Sequence, residues 1–157
     1  MGVSGAGKTE VGSALATQLG VPFTDADGLH PAANVEKMSA GIPLTDADRW
    51  PWLAIVGDAL ASSQSLVIAC SALKRSYRDA IRAAAADTVF VHLTVGRATL
   101  AERVAARQGH FMPASLLDSQ LASLEPLEAD EAGVTVESAG EVAATAQLVA
   151  AELVSKV

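Results

Sequence analysis

The chain has 157 residues, half of them apolar, and a formal net charge of −7. This length suits a single domain over residues 1–157 with a proper core, and the composition excludes a disordered chain. The acidic charge argues against a nucleic-acid partner, and no apolar run is long enough for a transmembrane helix. Cys70 is a lone cysteine and cannot form an internal disulfide, so we expect a cytoplasmic protein.

A glycine-rich loop at the start of the chain matches the phosphate-loop pattern G-x-x-x-x-G-K-[ST] in full. The residues expected to bind a nucleotide are Gly2, Ser4, Gly5, Ala6, Gly7, Lys8 and Thr9. Glycines let consecutive backbone N–H groups turn toward phosphate oxygens, while Lys8 reaches the β- and γ-phosphates and the Thr9 hydroxyl can bind Mg²⁺. The alternative is a glycine-rich turn that only caps the following helix.

Apolar β-rich segments alternate with helical patterns along the rest of the chain. The patterns predict helices over residues 9–19, 31–40, 45–62, 71–86, 98–107, 114–124 and 141–155. They predict strands over residues 21–24, 66–70, 89–94 and 133–137. This alternation is typical of βαβ units and predicts an α/β fold with a parallel sheet. In the first helix, Val11, Leu15 and Leu19 form an apolar stripe that we expect to be buried.

The phosphate loop lacks the buried strand that normally precedes it, because the loop begins directly after Met1. The predicted strands are therefore one fewer than is usual for such a fold. Two explanations are open: an N-terminal segment is missing, or the fold does without its central strand. We favour the first, because an apolar strand cannot be removed cheaply from the middle of a parallel sheet.

Two acidic residues, Asp25 and Asp27, follow the first predicted strand. In an open α/β sheet, ligands bind beyond the carboxyl ends of the strands. One carboxylate could hold Mg²⁺ and its water, and the other could orient or deprotonate a substrate hydroxyl for attack on a γ-phosphate. An Asx turn or a helix cap is the alternative. The chain has no N-K-x-D pattern for reading a guanine base, which favours a kinase over a GTPase.

Seven Lys or Arg and only three Asp or Glu lie between Lys74 and Arg107. Lys74 and Arg78 share one face of a predicted helix that follows a strand end, and Arg78 could pair with a substrate carboxylate in a forked geometry. Arg103 and Arg107 precede an interruption of the helical pattern, Gly109-His110-Phe111, and such arginines suit closure over transferring phosphates. For each side chain alone, a solvated helix face is the alternative.

Two histidines, His30 and His110, are candidate acid–base groups. Phosphoryl transfer depends mainly on positioning and charge neutralisation, so we assign both to substrate contact or loop anchoring. Trp50 and Trp52 are expected in the core or at the rim of a substrate pocket.

With these motifs, the chain resembles the small bacterial-type gluconokinases along nearly its whole length. The matching segments are Met1–Thr9, Asp25–Pro31, Asn34–Met38, Gly41–Leu44, Asp46–Leu53, Cys70–Asp79, Arg107–Phe111 and Gln120–Pro126. The resemblance implies ATP- and Mg²⁺-dependent phosphorylation of D-gluconate to 6-phosphogluconate. It also implies an adenylate-kinase-like three-layer α/β/α fold with a mobile lid over about residues 103–124 and, in many members, a homodimer.

The resemblance also implies roles for individual residues. Asp25 would lie near the metal, and Asp27 would orient the substrate. The residues implied at the nucleotide, its phosphates and Mg²⁺ are Lys8, Thr9, Arg103 and Arg107. The residues implied to line the gluconate site are Arg49, Lys74, Arg78, His110 and Gln120.

Two other functions stay open. A shikimate-kinase-like enzyme would use the same loop and carboxylates on another hydroxylated acid, although the Asp-Gly-Leu-His-Pro and Gly-His-Phe segments argue against it. A regulatory module that hydrolyses or senses ATP without a second substrate would need no cationic pocket for a carboxylate. Titration with sugar acids separates these functions.

Overall fold

The computed structural model describes residues 1–106 and 114–156. Its helices are α1 (Lys8–Leu19), α2 (Ala32–Ser39), α3 (Asp46–Ala61), α4 (Arg75–Ala84), α5 (Arg97–Ala106), α6 (Ala114–Ser123) and α7 (Val142–Lys156). Its strands are β1 (Phe23–Asp25), β2 (Val67–Ala69), β3 (Phe90–Thr94) and β4 (Gly133–Glu137). Every predicted helix and strand is present. A 3₁₀ helix over Ala26–Leu29, which the sequence pattern did not predict, follows β1.

Helices cover both faces of the strands and give three layers. On one face, α3 and α4 pack together around Trp52 and Ile81. On the other, α1 and α7 pack together around Val11 and Val149. The predicted α/β/α architecture with parallel strands is confirmed. In the part of the chain that the structure describes, no helix is both long and apolar enough to cross a membrane.

The start of α3 is fixed by a capping box. The Thr45 hydroxyl accepts from the Asp48 N–H, and the Asp48 carboxylate accepts from the Thr45 N–H at 2.9 Å. These bonds satisfy backbone donors that the first turn would otherwise leave unpaired. The cap places Asp46 at the first helical position, where its carboxylate lies near the positive end of the helix.

The strands form two separate parallel pairs. In one pair Phe23 of β1 lies opposite Val67 of β2, and in the other Phe90 of β3 lies opposite Gly133 of β4. Within the described residues, no strand pairing joins β2 to β3.

Met1 lies between the two pairs at their carboxyl ends. Its backbone nitrogen donates to the Val91 carbonyl, and its carbonyl accepts from the Leu93 N–H at 3.0 Å. The next N–H, of Gly2, donates to the Ser71 carbonyl beyond β2 at 3.2 Å. Donation to one residue and acceptance two residues later is the pattern of a parallel ladder, with Met1 opposite His92. Met1 therefore occupies one residue of a strand position between β2 and β3.

A cavity of about 600 Å³ lies between β2 and β3. Its apolar lining includes Val11, Leu15, Val56, Ile68, Ile81, Val91 and Val149. Hydrophobic side chains from both helical layers thus face a space that the described residues leave open. The cavity lies where the central strand was expected from the sequence.

One side chain of the α1 stripe departs from the prediction. Val11 and Leu15 are buried, but Leu19 is 50% exposed. Leu19 is the last residue of α1 and lies outside the buried cluster in which Val11 and Leu15 pack with Val149.

His92 of β3 makes stability sensitive to acid. It is buried, and no hydrogen-bond partner for either ring nitrogen lies among the described residues. Burial, with the positive charges of the Met1 amino group and Arg78, lowers the pKa of His92 to about 4 from 6.5. The unfolded chain therefore binds the proton more readily, and stability is lost as the pH falls from about 6.5 toward about 4.

We expect His92→Phe to reduce this acid sensitivity, because phenylalanine has a similar shape and cannot bind a proton. The measurement is the Tm of both proteins between pH 7.5 and 4. As the pH falls, the Tm of the original protein should fall more steeply than the Tm of the His92→Phe variant. Parallel Tm curves for the two proteins would exclude His92 as the titrating group.

Candidate active site

The phosphate loop depends on glycines at three positions. The backbone φ angles are 143° at Gly2, 81° at Gly5 and 87° at Gly7, all in a region that favours glycine. Gly7 is also the residue before α1, so the loop leads directly into the N-terminal turn of that helix. A loop of this geometry at a helix N-terminus can bind phosphate through backbone N–H groups and the helix dipole.

Thr9 and Asp25 form a pair of hard oxygen ligands beside this loop. The Thr9 hydroxyl donates to Asp25 Oδ2 at 2.6 Å. The ammonium of Lys8 donates to the Val3 carbonyl at 3.0 Å, across the loop. A hydroxyl and a carboxylate in contact, next to a phosphate site, fit the oxygen coordination that Mg²⁺ requires. Thr9 and Asp25 are therefore the residues that would hold the metal.

The turn after β1 gives the two predicted carboxylates different roles. Asp25 Oδ1 accepts from the Asp27 N–H at 3.0 Å and so caps the 3₁₀ helix. Asp25 therefore makes the Asx-type turn that was the alternative interpretation, and its other carboxylate oxygen still accepts from Thr9. Asp27 is exposed, and no hydrogen bond to its carboxylate lies in the described residues. This carboxylate can accept a proton or a hydrogen bond from a bound hydroxyl.

His30 lies next to Asp27 and is held by stacking. Its ring stacks on Trp52 with 4.2 Å between ring centroids. Asn34 Nδ2 lies 3.2 Å from His30 Nδ1 and donates to the Asp48 carbonyl at 2.9 Å, so the nitrogen side of the amide faces the imidazole. Nδ1 is then the acceptor, and the neutral ring carries its proton on Nε2. Nε2–H is therefore available as a donor to a substrate oxygen.

The charge state of His30 follows from its surroundings. Burial lowers the pKa of His30 below its usual value, the Asp27 carboxylate opposes this shift, and Arg49 adds to it. His30 is thus electrostatically coupled both to the proposed proton acceptor and to a cation of α3. The imidazole is neutral at pH 7, which suits substrate contact rather than phosphate neutralisation.

A cluster of polar and charged side chains continues the site from His30 toward α4. Arg49 and Lys74 lie 5.7 Å and 5.4 Å from the centroid of the Tyr77 ring. Lys74 Nζ donates to both carboxylate oxygens of Asp46, at 3.0 and 3.1 Å, and the Tyr77 hydroxyl donates to the same carboxylate. Two cations and a phenol therefore lie together beside the Asp46 carboxylate.

Arg78 does not belong to this cluster, and its predicted role in binding a substrate carboxylate is wrong. Its side chain is fully buried, and its donors bond to the carbonyls of residues 72, 73, 125 and 126 and to both carboxylate oxygens of Glu131. Lys74 is the extended N-cap residue before α4, whereas Arg78 lies on the buried face of that helix. Arg78 instead ties the segment after α6 to the loop after β2.

We expect Arg78→Lys to lower the free energy of unfolding by about 1.5–3 kcal/mol, because a lysine cannot replace the forked contacts with the buried carboxylate of Glu131. The KM for the acceptor should not change. Urea unfolding and steady-state kinetics provide the two measurements, with Arg82→Lys on the same helix as the control. A raised acceptor KM without loss of stability would show instead that Arg78 binds the acceptor.

Helices α5 and α6 contact the phosphate loop. Gln120 of α6 accepts the Ser4 N–H through Oε1 at 2.7 Å. Arg103 of α5 donates to the carbonyls of Gly5, at 3.3 Å, and Ser138, at 3.0 Å. Both residues therefore lie against the loop, Arg103 where the resemblance implies a residue near the phosphates and Gln120 at the loop although the resemblance implies a place in the gluconate site. The predicted site residues Arg107 and His110 lie outside the described residues.

Another cavity, of about 280 Å³, adjoins the loop on the side of Arg103. Its lining consists of Gly5, Gly7, Glu10, Val11, Arg103, Ala106, Ser138, Gly140 and Val142. It joins the phosphate loop to the segment after β4.

Sequence reasoning did not assign three residues that shape the site: Asp46, Tyr77 and Asn34. Their positions in the sequence gave only weak indications of a role in the site. Tyr77 follows Lys74 by three residues, which predicts one shared face in the helix expected over residues 71–86, although Lys74 is the N-cap residue of α4 in the structure. Asp46 and Asn34 lie in segments that resemble gluconokinases, but nothing in their spacing distinguishes a site residue from a helix-terminal polar residue.

Fold and site together define a phosphate-loop kinase with a small-molecule acceptor site. A family model described as Shikimate kinase matches residues 4–157. Gluconokinase of Gluconobacter oxydans (strain 621H) is 54% identical over 140 residues, which cover 87% of this chain and 79% of that protein. Thermosensitive gluconokinase of Escherichia coli (strain K12) is 47% identical over 83% of this chain and 72% of that protein. The chain belongs to the gluconokinase family, and the resemblance drawn from its sequence is confirmed.

Solved structures agree with this assignment. A gluconokinase from Sinorhizobium meliloti 1021 superposes with a TM-score of 0.91 at 50% identity, covering 99% of this chain and 89% of that chain. An APS kinase from Mycobacterium tuberculosis superposes with a TM-score of 0.66 at 17% identity, covering 99% of this chain and 94% of that chain, and shares the fold alone.

Proposed function

We propose that this protein transfers the γ-phosphoryl group of ATP to a hydroxyl of D-gluconate, giving 6-phosphogluconate and ADP. The observation that carries the proposal is the continuity of the site. Thr9 and Asp25, which suit a metal beside phosphates, adjoin the Asp27 carboxylate, and this carboxylate has no hydrogen-bond partner among the described residues. The charges of Asp27 and Arg49 both shift the pKa of His30. Arg49 and Lys74 in turn lie over the same Tyr77 ring. A small anionic polyol meets complementary groups at both ends.

ATP would lie along the phosphate loop. Its phosphates would contact the loop N–H groups and Lys8, and the nucleoside would enter the cavity of about 280 Å³ beside Arg103. Thr9 and Asp25 would hold Mg²⁺, which would supply positive charge next to the phosphates of ATP. Arg103, already beside Gly5, would stabilise the negative charge that spreads over the transferring group.

Gluconate would bind with its carboxylate toward Arg49 and Lys74 and its terminal hydroxyl at Asp27. Asp27 orients this hydroxyl and accepts its proton as the oxygen attacks the γ-phosphorus. The new oxygen–phosphorus bond forms while the bond to the β-phosphate oxygen breaks, and ADP leaves. His30 can donate from Nε2 to an oxygen of the chain of hydroxyls between the two ends.

The test is ADP release from ATP and Mg²⁺ with D-gluconate, with shikimate and with no acceptor. We expect strong stimulation by gluconate alone. Stimulation by shikimate instead would favour the activity that the matching family model names. Equal ADP release in all three reactions would favour an ATP-binding module without a second substrate and would contradict the proposal.

A further inference from the structure

The Asp46 carboxylate occupies a set of donors that would suit a carboxylate ligand. Lys74 contacts both of its oxygens, and the Tyr77 hydroxyl donates to one of them. The Tyr77 bond, followed by that of Lys74, lowers the pKa of Asp46, and Arg49 contributes to the same shift. Charged and phenolic donors of this kind are the usual partners of a bound carboxylate.

These donors do not depend on Asp46 for their positions. Tyr77 is 3% exposed and packs edge-on against Trp50, with 5.5 Å between ring centroids. Lys74 and Arg49 both lie over the fixed Tyr77 ring, where a cation is attracted to the aromatic face. The donor set is therefore built by α4 and its neighbours and would persist if Asp46 moved away.

Asp46 itself is free to leave at low cost. Its side chain is 49% exposed, and that of Lys74 is 31% exposed. Ion pairs at this exposure are weak because water solvates both partners. Asp46 is also the first residue of α3, so a carboxylate turned toward solvent would keep the favourable field of the helix N-terminus.

We propose that Asp46 is an internal substitute for the substrate carboxylate. In the free enzyme its carboxylate accepts from Lys74 and Tyr77, and the carboxylate of the acceptor displaces it on binding. Asp46 therefore weakens the binding of any acceptor that displaces it, and only an acceptor with a carboxylate replaces the lost ion pair. This inference rests on the proposed function, because it assumes that the acceptor is a sugar acid.

The test is Asp46→Asn, which removes the competing charge and keeps the shape. We expect the KM for D-gluconate to fall about two- to fivefold, since the exposed pair that must be broken is weak. The kcat and the KM for ATP should stay within about twofold, because Asp46 does not contact the phosphate loop. Inhibition by D-glucitol, which has the same hydroxyls and no carboxylate, should strengthen, because this polyol no longer loses the Asp46 ion pair on binding.

Two controls separate this effect from a change in charge or fold. Asp79→Asn removes a carboxylate that is also exposed and pairs with Arg75 on α4 outside the cluster, and its gluconate KM should not change. In a Lys74→Met background, Asp46→Asn should no longer lower KM, because the ion pair to be broken is absent. Asp46→Ser, with Tm measured for each variant, serves if the asparagine variant folds poorly.

The outcomes are distinct. A lower gluconate KM that depends on Lys74 supports the inference. A raised or unchanged KM overturns it, and a raised KM together with weaker D-glucitol inhibition would show that Asp46 binds the hydroxyls directly. Absence of gluconate turnover in the unsubstituted protein would instead contradict the proposed function, and this inference with it.

Discussion

Replacing Asp27 with asparagine is expected to lower kcat for gluconate phosphorylation by about 10²- to 10⁴-fold, the usual contribution of a positioned general base. Asparagine keeps the size of the side chain and the backbone N–H that Asp25 accepts, so the turn after β1 should be retained. It cannot accept the hydroxyl proton. The binding of ATP should therefore be unchanged, because the phosphate loop and the Thr9–Asp25 pair remain intact.

The measurements are steady-state kinetics and equilibrium binding of ATP. Asp58→Asn, which removes an exposed carboxylate of α3, controls for net charge and should leave kcat unchanged. Asp25→Asn makes a useful contrast, because loss of a metal ligand should raise the Mg²⁺ concentration needed for activity. If the Asp27 variant kept nearly normal kcat, the proton would have to pass to another group.

Filling the cavity between β2 and β3 is expected to give the largest gain in stability. We expect a chain extended before Met1 by five apolar β-branched residues to gain about 3–5 kcal/mol in free energy of unfolding. Met1 already lies opposite His92, so the residue two places earlier would lie opposite Phe90 and continue the ladder. Each buried side chain contributes about 1.5–3 kcal/mol, and ordering each residue costs about 1–2 kcal/mol.

The comparison is urea unfolding of the original chain, the extended chain and a control with five alternating Gly and Ser residues. The control adds the same length without apolar side chains or β propensity, so its stability should match that of the original chain. Equal stability of all three chains would mean that the cavity does not accept a strand.

Local signals in the sequence determined most of the fold. The helices and strands repeat apolar residues at their own periods, and caps and glycines mark their ends, so positions such as 133–137 could be predicted without error. The 3₁₀ helix after β1 was not predicted, because it is short and depends on one side-chain bond from Asp25. Prediction failed at Leu19 because burial there depends on what lies beside the helix, not on the helix itself.

Part of the site was likewise determined by the local sequence, and part by tertiary packing. The sequence by itself determined the phosphate loop and the carboxylates after β1, because consecutive residues supply both and their chemistry requires no distant partner. Only the tertiary structure decided between Lys74 and Arg78, which look equivalent along one helix. Packing buries Arg78 against Glu131 and leaves Lys74 beside Asp46 and Tyr77, where we propose that the acceptor binds. A side chain's role depends on the partners that folding brings to it, and residues 31 and 53 positions apart cannot be paired from spacing alone.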